Sequence, residues 1–331
     1  MEEPTSRSVV VLGAGSLGSV YAAWLADAGH DVTIVARTAH AEAVAAGGLR
    51  FRTLDGAERV VAMGAVDAAA DAPDADMVLV AAKNFDVAGL LGDYTGGPSL
   101  AFSIQNGVAQ ADPLVERFGE AAVGCVSMVG GTLEEPGVAS HTFTGSTYLG
   151  DLDTTRPGAA AEIAAILPCQ TEVRDDIVDV LWSKGVLAAA AMGVQGLTRM
   201  DYFRMLMTTE TCDAFLDVAL DGAAIAAAEG ISMVDMPGPL QAGSLVRLSR
   251  ADARARLTSV GQHLVDAGQT DMKVSALQSI ERRRPLEIDA VYNDLLAVAD
   301  RHELAVPALR TVARLMTGVD TQIRAEIGRE L

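Results

Sequence analysis

The chain has 331 residues, more than one hydrophobic core usually organises, so we expect two domains. Its formal net charge of −19 argues against nucleic acid or an anionic membrane as a partner, because either would be repelled over most of the surface. Half of the residues are hydrophobic, yet no apolar run approaches the roughly 18 to 20 residues of a membrane span. Residues 1–8 lack the basic-then-apolar order of a secretion signal, so we expect a cytoplasmic protein.

Side chains that commonly hold metals are scattered along the chain. The three cysteines, Cys125, Cys169 and Cys212, lie far apart and show no Cys-x-x-Cys spacing. The five histidines form no metal-binding spacing, and no G-x-S-x-G elbow is present. We therefore expect no metal site and interpret the cysteines as small buried residues.

The first half of the chain alternates strand and helix patterns. Residues 9–12 form a β-branched run before a glycine, residues 19–29 predict an alanine-rich helix, and residues 31–35 predict a second strand. Further strands are predicted at residues 77–81, 99–104, 122–128 and 146–149. This alternation indicates an α/β domain with a doubly wound parallel sheet of the Rossmann type over residues 1–175.

After residue 175 the pattern changes to long amphipathic or alanine-rich stretches. They predict an all-α second domain over residues 176–331. A break rich in proline and glycine at residues 236–243 is interpreted as a loop inside this domain. The predicted helices span residues 176–198, 208–229, 251–266, 286–301 and 308–327.

A glycine-rich turn follows the first predicted strand and opens the first helix. The turn reads Gly13-Ala14-Gly15-Ser16-Leu17-Gly18 and fits the G-x-G-x-x-G pattern of dinucleotide-binding loops. Its glycines permit a tight turn, close approach to a pyrophosphate and close packing of helix on strand. The free N–H groups of the helix N-terminus attract the phosphates.

The end of the second strand indicates which nicotinamide cofactor binds. NAD enzymes usually place a carboxylate there to hold the ribose 2′-hydroxyl. Here the position is occupied by Arg37, whose guanidinium suits a 2′-phosphate. We therefore predict NADP(H), with a solvated arginine as the alternative interpretation.

Only three lysines are present, and Lys184 lies in a strongly apolar helical stretch. A charge there is costly without a purpose, and partial burial favours general acid work. Taken alone, the position also suits a lysine that extends its ammonium group to solvent at the edge of the helix.

The chain resembles the ketopantoate reductases (2-dehydropantoate 2-reductases), NADPH-dependent enzymes of pantothenate biosynthesis with a Rossmann domain and a helical C-terminal domain. The resemblance covers almost the whole chain and rests on landmarks in the same order at compatible spacing. They are Gly13 to Gly18, Arg37, Lys83, Gln105-Asn106-Gly107, Trp182-Ser183-Lys184, Ser275-Ala276-Leu277-Gln278, Leu286-Glu287-Ile288-Asp289 and Pro307.

The resemblance implies a role for several single residues. The implied roles are proton donation for Lys184, contact with nicotinamide and substrate for Asn106, cofactor contacts for Lys83 and the backbone of Gly130, substrate binding for Ser275, and ordering of the site and the nicotinamide ribose for Glu287. Without the resemblance, Asn106 is equally typical of an Asn-Gly turn, and Glu287 is equally typical of a helix N-terminus after Pro285. Ser275 is then typical of a serine with a structural role.

The chain departs from the family where the substrate binds. The family's helix usually reads K-x-x-x-N-x-x-x-N, with two asparagines that bind the substrate, but here those positions are Ala188 and Met192. Both lie on the helix face of Lys184, so we expect an apolar pocket beside the proton donor. Gln195 and Lys273 are candidates to compensate for the lost hydrogen bonds.

We therefore expect an NADPH-dependent reductase of a 2-oxo acid or related ketone with Lys184 as general acid. The substrate is 2-dehydropantoate itself or a different, more apolar ketone or 2-oxo acid of secondary metabolism. A non-catalytic NADPH-binding sensor or interaction protein is the alternative from another class. We also expect a homodimer built on the helical domain.

Overall fold

The structure, a computed structural model, describes residues 6–152, 155–238 and 240–330. The chain forms two compact units, and six residues, 106–109, 176 and 177, depart from the division predicted from the sequence. The first unit comprises Met1–Gln105 and Gln110–Ile177, and the second comprises Asn106–Ala109 and Val178–Leu331. The loop Asn106–Ala109, which the sequence placed in the first domain, therefore belongs to the second unit.

Two sheets form the framework of the first unit. The larger one has eight strands in the order β12-β11-β8-β7-β6-β1-β2-β5, and all its neighbours are parallel except β8 and β11. The strands are β1 (Ser8–Leu12), β2 (Asp31–Val35), β3 (Leu49–Arg52), β4 (Glu58–Val61), β5 (Gly64–Val66), β6 (Met77–Val80), β7 (Leu100–Ser103), β8 (Ala122–Ser127), β9 (Gly130–Glu135), β10 (Val138–Phe143), β11 (Thr147–Asp151) and β12 (Thr171–Val173).

Continuous apolar sequence explains the centre of the large sheet. The four residues of β6 are fully buried, as are the last four of β1, because helices cover both faces of a doubly wound sheet. The strands β7, β6, β1 and β2 are consecutive and parallel, so the loops that follow them emerge at one edge. The helices of this unit are α1 (Ser16–Asp27), α2 (Thr38–Gly47), α3 (Asn84–Asp93), α4 (Asp112–Phe118) and α5 (Ala159–Ile166).

A second sheet, which the sequence did not predict, packs against α1. Its four strands are ordered β4-β3-β10-β9. The ring of His141 on β10 meets the ring of Trp24 on α1 edge to face, with centroids 4.9 Å apart. The N–H of Leu133 on β9 donates to Ser16 Oγ at 3.1 Å, so this sheet supports the helix that opens at the glycine loop.

The described residues of the second unit form helices joined by loops, with no strand among them, as the sequence predicts. A π-helical turn, Asp289–Asn293, precedes α12, where the sequence predicts one regular helix over residues 286–301. The helices are α6 (Ile177–Thr198), α7 (Tyr202–Met207), α8 (Thr209–Ala228), α9 (Ala242–Leu245), α10 (Arg250–Asp266), α11 (Ser275–Glu281), α12 (Asp294–Arg301) and α13 (Pro307–Glu330).

The helix α6 corrects the expectation that no stretch approaches a membrane span. Among the described helices, it alone is long and apolar enough to cross a membrane, with a mean hydropathy of 1.6. However, 78% of that apolar window is buried inside the protein, which is typical of a core helix in a soluble protein. Its residues Val186, Ala190 and Val194 belong to the core of the second unit.

Candidate active site

The glycine loop begins with a turn that only glycine allows. Gly13 has φ +83°, and a Cβ atom placed on it would lie 2.4 Å from the Cβ of Ala82. The N–H groups of Gly13 and Ala14 both donate to the carbonyl of Val35, at 2.9 and 2.8 Å. The residues that follow β1 are thus held against Ala82, which follows β6, and against Val35, the last residue of β2.

Gly15 lies in the same loop but is not required by the fold. Its φ is −83°, and a Cβ atom placed on it would have only the carbonyl oxygen of Gly13 within reach, at 4.0 Å. Open space therefore lies in front of this residue. A ligand that approaches the backbone closely, as a pyrophosphate does, gives a physical reason for glycine here.

The first turn of α1 offers N–H groups to such a ligand. The first helical hydrogen bond runs from the N–H of Ser19 to the carbonyl of Gly15, so the amides of Ser16, Leu17 and Gly18 have no acceptor within the helix. No acidic residue lies in this turn to oppose an anion. Loop and helix together therefore fit a dinucleotide pyrophosphate.

Arg37 follows β2 at the same sheet edge and extends into solvent. Its side chain is 87% exposed, and its Nη2 lies 3.9 Å from Oδ2 of Asp86, a surface ion pair worth about 0 to 1 kcal/mol. Such a loose contact leaves the guanidinium able to reorient toward a phosphate.

Lys83 and Gln105 follow the neighbouring strands β6 and β7. Lys83 is half-buried and occupies the N-cap position of α3. Gln105, for which the sequence suggested no separate role, donates from Nε2 to the carbonyl of Ala82 at 2.7 Å and accepts from the hydroxyl of Ser103 at 2.8 Å. It therefore ties the ends of the two strands together. The Gln-Asn-Gly motif alone does not reveal this role of Gln105, because β6 and β7 are known to be neighbours only from the order of the strands in the sheet.

In the second unit, the loop that carries Asn106 lies between two helices. Gly107 has φ +114°, and a Cβ atom placed on it would lie 2.9 Å from the carbonyl oxygen of Ala290. A Cβ atom on Gly185 of α6 would lie 2.7 Å from Val108 Cγ1. The structure thereby brings together the segments that carry Asn106, Lys184 and Glu287.

Glu287 lies just before a helix instead of beginning one. The helix starts at Ile288, and the carbonyl of Glu287 accepts from the N–H of Val291 at 3.1 Å. The preceding N–H, of Leu286, donates to Oδ1 of the buried Asp320 at 2.7 Å. Asp320 fixes the path of this segment, a role that the sequence did not suggest.

The face of α6 below Lys184 is apolar. Lys184 and Ala188 are half-buried, and Met192 is buried, each one helical turn from the next. The hydroxyl of Ser275 lies 3.9 Å from the sulfur of Met192. Three of the predicted substrate residues, Lys184, Ala188 and Met192, thus lie in one row along α6. Another of them, Ser275, adjoins the far end of that row.

The two residues expected to replace the missing asparagines both have partners within the protein. Gln195 is fully buried, and its amide binds the backbone of Met200, Met272 and Val274 at 2.8 to 3.3 Å. Lys273 forms an ion pair with Glu281 at 2.7 Å. The buried backbone bonds of Gln195 contradict the expectation for that residue, and the ion pair of Lys273 with Glu281 argues against the same role.

Two sequence profiles of one family match the chain. The profile described as ketopantoate reductase PanE/ApbA matches residues 9–154, and that of its C-terminal domain matches residues 176–320. The chain belongs to the ketopantoate reductase family. The predicted family and fold class are thereby confirmed, and this family member is an oxidoreductase that acts on a ketone or the corresponding alcohol.

Individual relatives match nearly the whole length of this chain. A 2-dehydropantoate 2-reductase of Archaeoglobus fulgidus is 25% identical over 95% of this chain and 98% of its own length. The crystal structure of a PanE/ApbA family ketopantoate reductase from Ralstonia eutropha JMP134 matches with a TM-score of 0.80 at 24% identity, covering 96% of this chain and 99% of that one. D-mandelate dehydrogenase with NADH and anilino(oxo)acetate matches with a TM-score of 0.81 at 17% identity over the same shares.

Both structural matches show the common fold. The site residues, including Gly130 at the start of β9, stay predictions, as do the homodimer and the cytoplasmic location.

The contrast between two loop glycines gives a test of cofactor binding. We expect Gly15→Ala to leave the free energy of unfolding within about 1 kcal/mol of wild type, since its Cβ points into open space, while the Kd for NADPH rises at least about tenfold. Gly13→Ala is the matched control and should destabilise the protein by roughly 1 to 3 kcal/mol. Urea unfolding and NADPH fluorescence titration measure both. Unchanged NADPH affinity in Gly15→Ala would contradict the assignment.

Proposed function

We propose that the protein is an NADPH-dependent reductase that converts a 2-oxo acid into the 2-hydroxy acid, with Lys184 as proton donor. The observation that carries the proposal is the meeting of the Asn106, Lys184 and Glu287 segments around Gly107 and Gly185. A lysine on one segment, with an amide and a carboxylate on the neighbouring segments, suits proton transfer to a carbonyl oxygen.

The cofactor proposal rests on the sheet edge of the first unit. The glycine loop and the start of α1 would hold the pyrophosphate, and Arg37 would pair with the 2′-phosphate of NADPH. No carboxylate occupies the end of β2, where one would favour the 2′-hydroxyl of NADH. When bound, the reduced nicotinamide supplies a hydride to the carbonyl carbon.

The residues of the second unit complete the reduction. The ammonium group of Lys184 donates its proton to the carbonyl oxygen as negative charge develops there, and solvent then restores the proton. The amide of Asn106 would orient the reacting group, and the carboxylate of Glu287 would help to order the site. Ser275 would hold the substrate from the other end of the α6 face.

The substrate is proposed to be a 2-oxo acid with an apolar substituent. Ala188 and Met192 offer no hydrogen bond to a hydroxylated side chain such as that of 2-dehydropantoate. A hydroxyl left unpaired in the complex costs about 1 to 3 kcal/mol. The D-mandelate dehydrogenase of similar fold was solved with anilino(oxo)acetate, an oxoacetate that carries an aromatic group. Branched aliphatic and aromatic 2-oxo acids are therefore the class to test.

Removal of the proton donor should separate chemistry from binding. We expect Lys184→Met to lower kcat by about 10² to 10⁴, while the Kd for NADPH changes less than about twofold. Lys273→Met is the matched control, because this lysine pairs with Glu281 on the surface of the same unit. Turnover of a panel of 2-oxo acids, followed by NADPH absorbance, tests both variants. Undiminished turnover in Lys184→Met would exclude this lysine as proton donor.

The choice between the two nicotinamide cofactors depends on Arg37. We expect Arg37→Ala to raise the KM for NADPH by about 10- to 100-fold, the value of a charge-assisted hydrogen bond, and to leave the KM for NADH within about twofold. Arg50→Ala, which removes a surface arginine paired with Glu58, should change neither. Equal effects of Arg37→Ala on both cofactors would contradict 2′-phosphate recognition.

Two substitutions on α6 test the substrate class. We expect the double variant Ala188→Asn/Met192→Asn to raise kcat/KM for 2-dehydropantoate at least about tenfold and to lower it for 2-oxo acids with apolar substituents. The single variants serve as controls for each position. A wild-type enzyme that already prefers 2-dehydropantoate over the apolar substrates would refute the proposed class without affecting the reductase assignment.

A further inference from the structure

A buried histidine lies behind the glycine loop. His40, in the first turn of α2, is 4% exposed and makes two hydrogen bonds within the first unit. Its Nδ1 accepts from the N–H of Gly137, in the turn between β9 and β10, at 2.8 Å. A backbone N–H can only donate, so Nδ1 carries no hydrogen, and the proton of the neutral ring is on Nε2. Burial lowers the pKa of His40, which favours this neutral form.

The other ring nitrogen continues the hydrogen bonds toward the loop. Nε2 lies 3.1 Å from Oγ of Ser19, a fully buried residue of α1, and the tautomer makes the serine oxygen the acceptor. The serine hydrogen then points to the carbonyl oxygen of Ala14, at 3.4 Å. Ala14 stands between the first two glycines of the loop. A continuous path therefore runs from the Gly137 amide through His40 and Ser19 to the loop backbone.

We propose that His40 is a positioning residue for cofactor binding, which holds the backbone of the glycine loop through Ser19 and ties it to the turn between β9 and β10. The proposal rests on the proposed function only in requiring that a nicotinamide dinucleotide binds at this loop. No contact between His40 and the cofactor is involved. The histidine acts by fixing the Ala14 carbonyl, and with it the amides that face the phosphates.

A second contact from the same sheet supports this assignment. The N–H of Leu133 on β9 donates to Oγ of Ser16, so strand and turn both hold the start of α1. The hydroxyl of Ser16 accepts this bond, and its own hydrogen can be donated to a phosphate oxygen. The small sheet is thus a support for the pyrophosphate site, joined to it at Ser16 and, through His40, at Ala14.

The location of the path predicts a specific kinetic signature. The pyrophosphate is common to NADPH and NADH, so a loosened loop should weaken both cofactors by the same factor. A defect at Arg37 would instead change the affinity for NADPH alone. Because the path ends at the backbone of the glycine loop, KM and Kd for the cofactor should change, and kcat should not.

The experiment compares His40→Phe, His40→Gln, Ser19→Ala and the double variant His40→Phe/Ser19→Ala in the full-length protein. The Kd values for NADPH and NADH are measured by fluorescence titration, without turnover, and the melting temperature is recorded in parallel. We expect His40→Phe to raise both Kd values about tenfold. We expect His40→Gln, whose amide can accept from Gly137 and donate to Ser19, to stay within about twofold of wild type.

The double variant distinguishes a continuous path from general destabilisation. Since both residues belong to one path, we expect the double variant to bind no more weakly than His40→Phe. Lower melting temperatures with unchanged Kd values, or effects that multiply in the double variant, would overturn the proposal. If His40→Phe does not fold, Ser19→Ala alone must still weaken both cofactors equally. Wild-type protein that binds neither cofactor would refute the proposed function itself.

Discussion

Close backbone approach at glycines is the constraint on which both parts of the candidate site depend. In the first unit, Gly13 permits β1 to end against Ala82, and this contact aligns the loops at one sheet edge. In the second unit, Gly107 and Gly185 let the Asn106 loop lie directly between α6 and the helix that begins at Ile288. A side chain at any of these positions would have to displace backbone atoms or tightly packed groups. The same three glycines therefore shape the loop that is proposed to hold the phosphates and the place where the segments of Lys184, Asn106 and Glu287 meet.

The parts of the fold that could be predicted are those with a continuous local pattern. The apolar runs of β1, β6 and β7 and the long helices of the second unit are recognisable because burial extends along the whole element. The strands of the small sheet have four to six residues of mixed exposure, and two of them, β3 and β10, pair across more than eighty residues of chain. No local periodicity reports such a pairing. The π-helical turn at Asp289–Asn293 was missed for a related reason, since its sequence reads as ordinary helix.

The candidate site divides in the same way. The glycine loop and Arg37 follow from local pattern and strand position, and Lys184 is conspicuous as a charge in an apolar helix. The supporting residues leave no such signal. Asp320 reaches the segment of Glu287 from a helix 34 positions away in the chain, and two of the three bonds of Gln195 are to backbone groups of a distant loop. The sequence left Gln195 a candidate for substrate binding because an amide suits either task, and only its three backbone partners decide between them.

The spacing of residues along α6 also bears on the length of the substituent that the proposed substrate carries. An α-helix rises about 1.5 Å per residue, so Ala188 lies about 6 Å and Met192 about 12 Å along the axis from Lys184. In the proposed site, a carbonyl held at Lys184 would present a short substituent to Ala188, and only a longer group would extend as far as Met192 and the adjoining hydroxyl of Ser275. Replacement of asparagine by alanine at the nearer position enlarges the space as well as removing a hydrogen bond, because alanine is the smaller side chain. At Ala188, polarity and volume thus change together, toward an apolar and bulkier substituent next to the carbonyl. Methionine is larger than asparagine, so Met192 closes the far end of this face, and the proposed proton donor lies at its head.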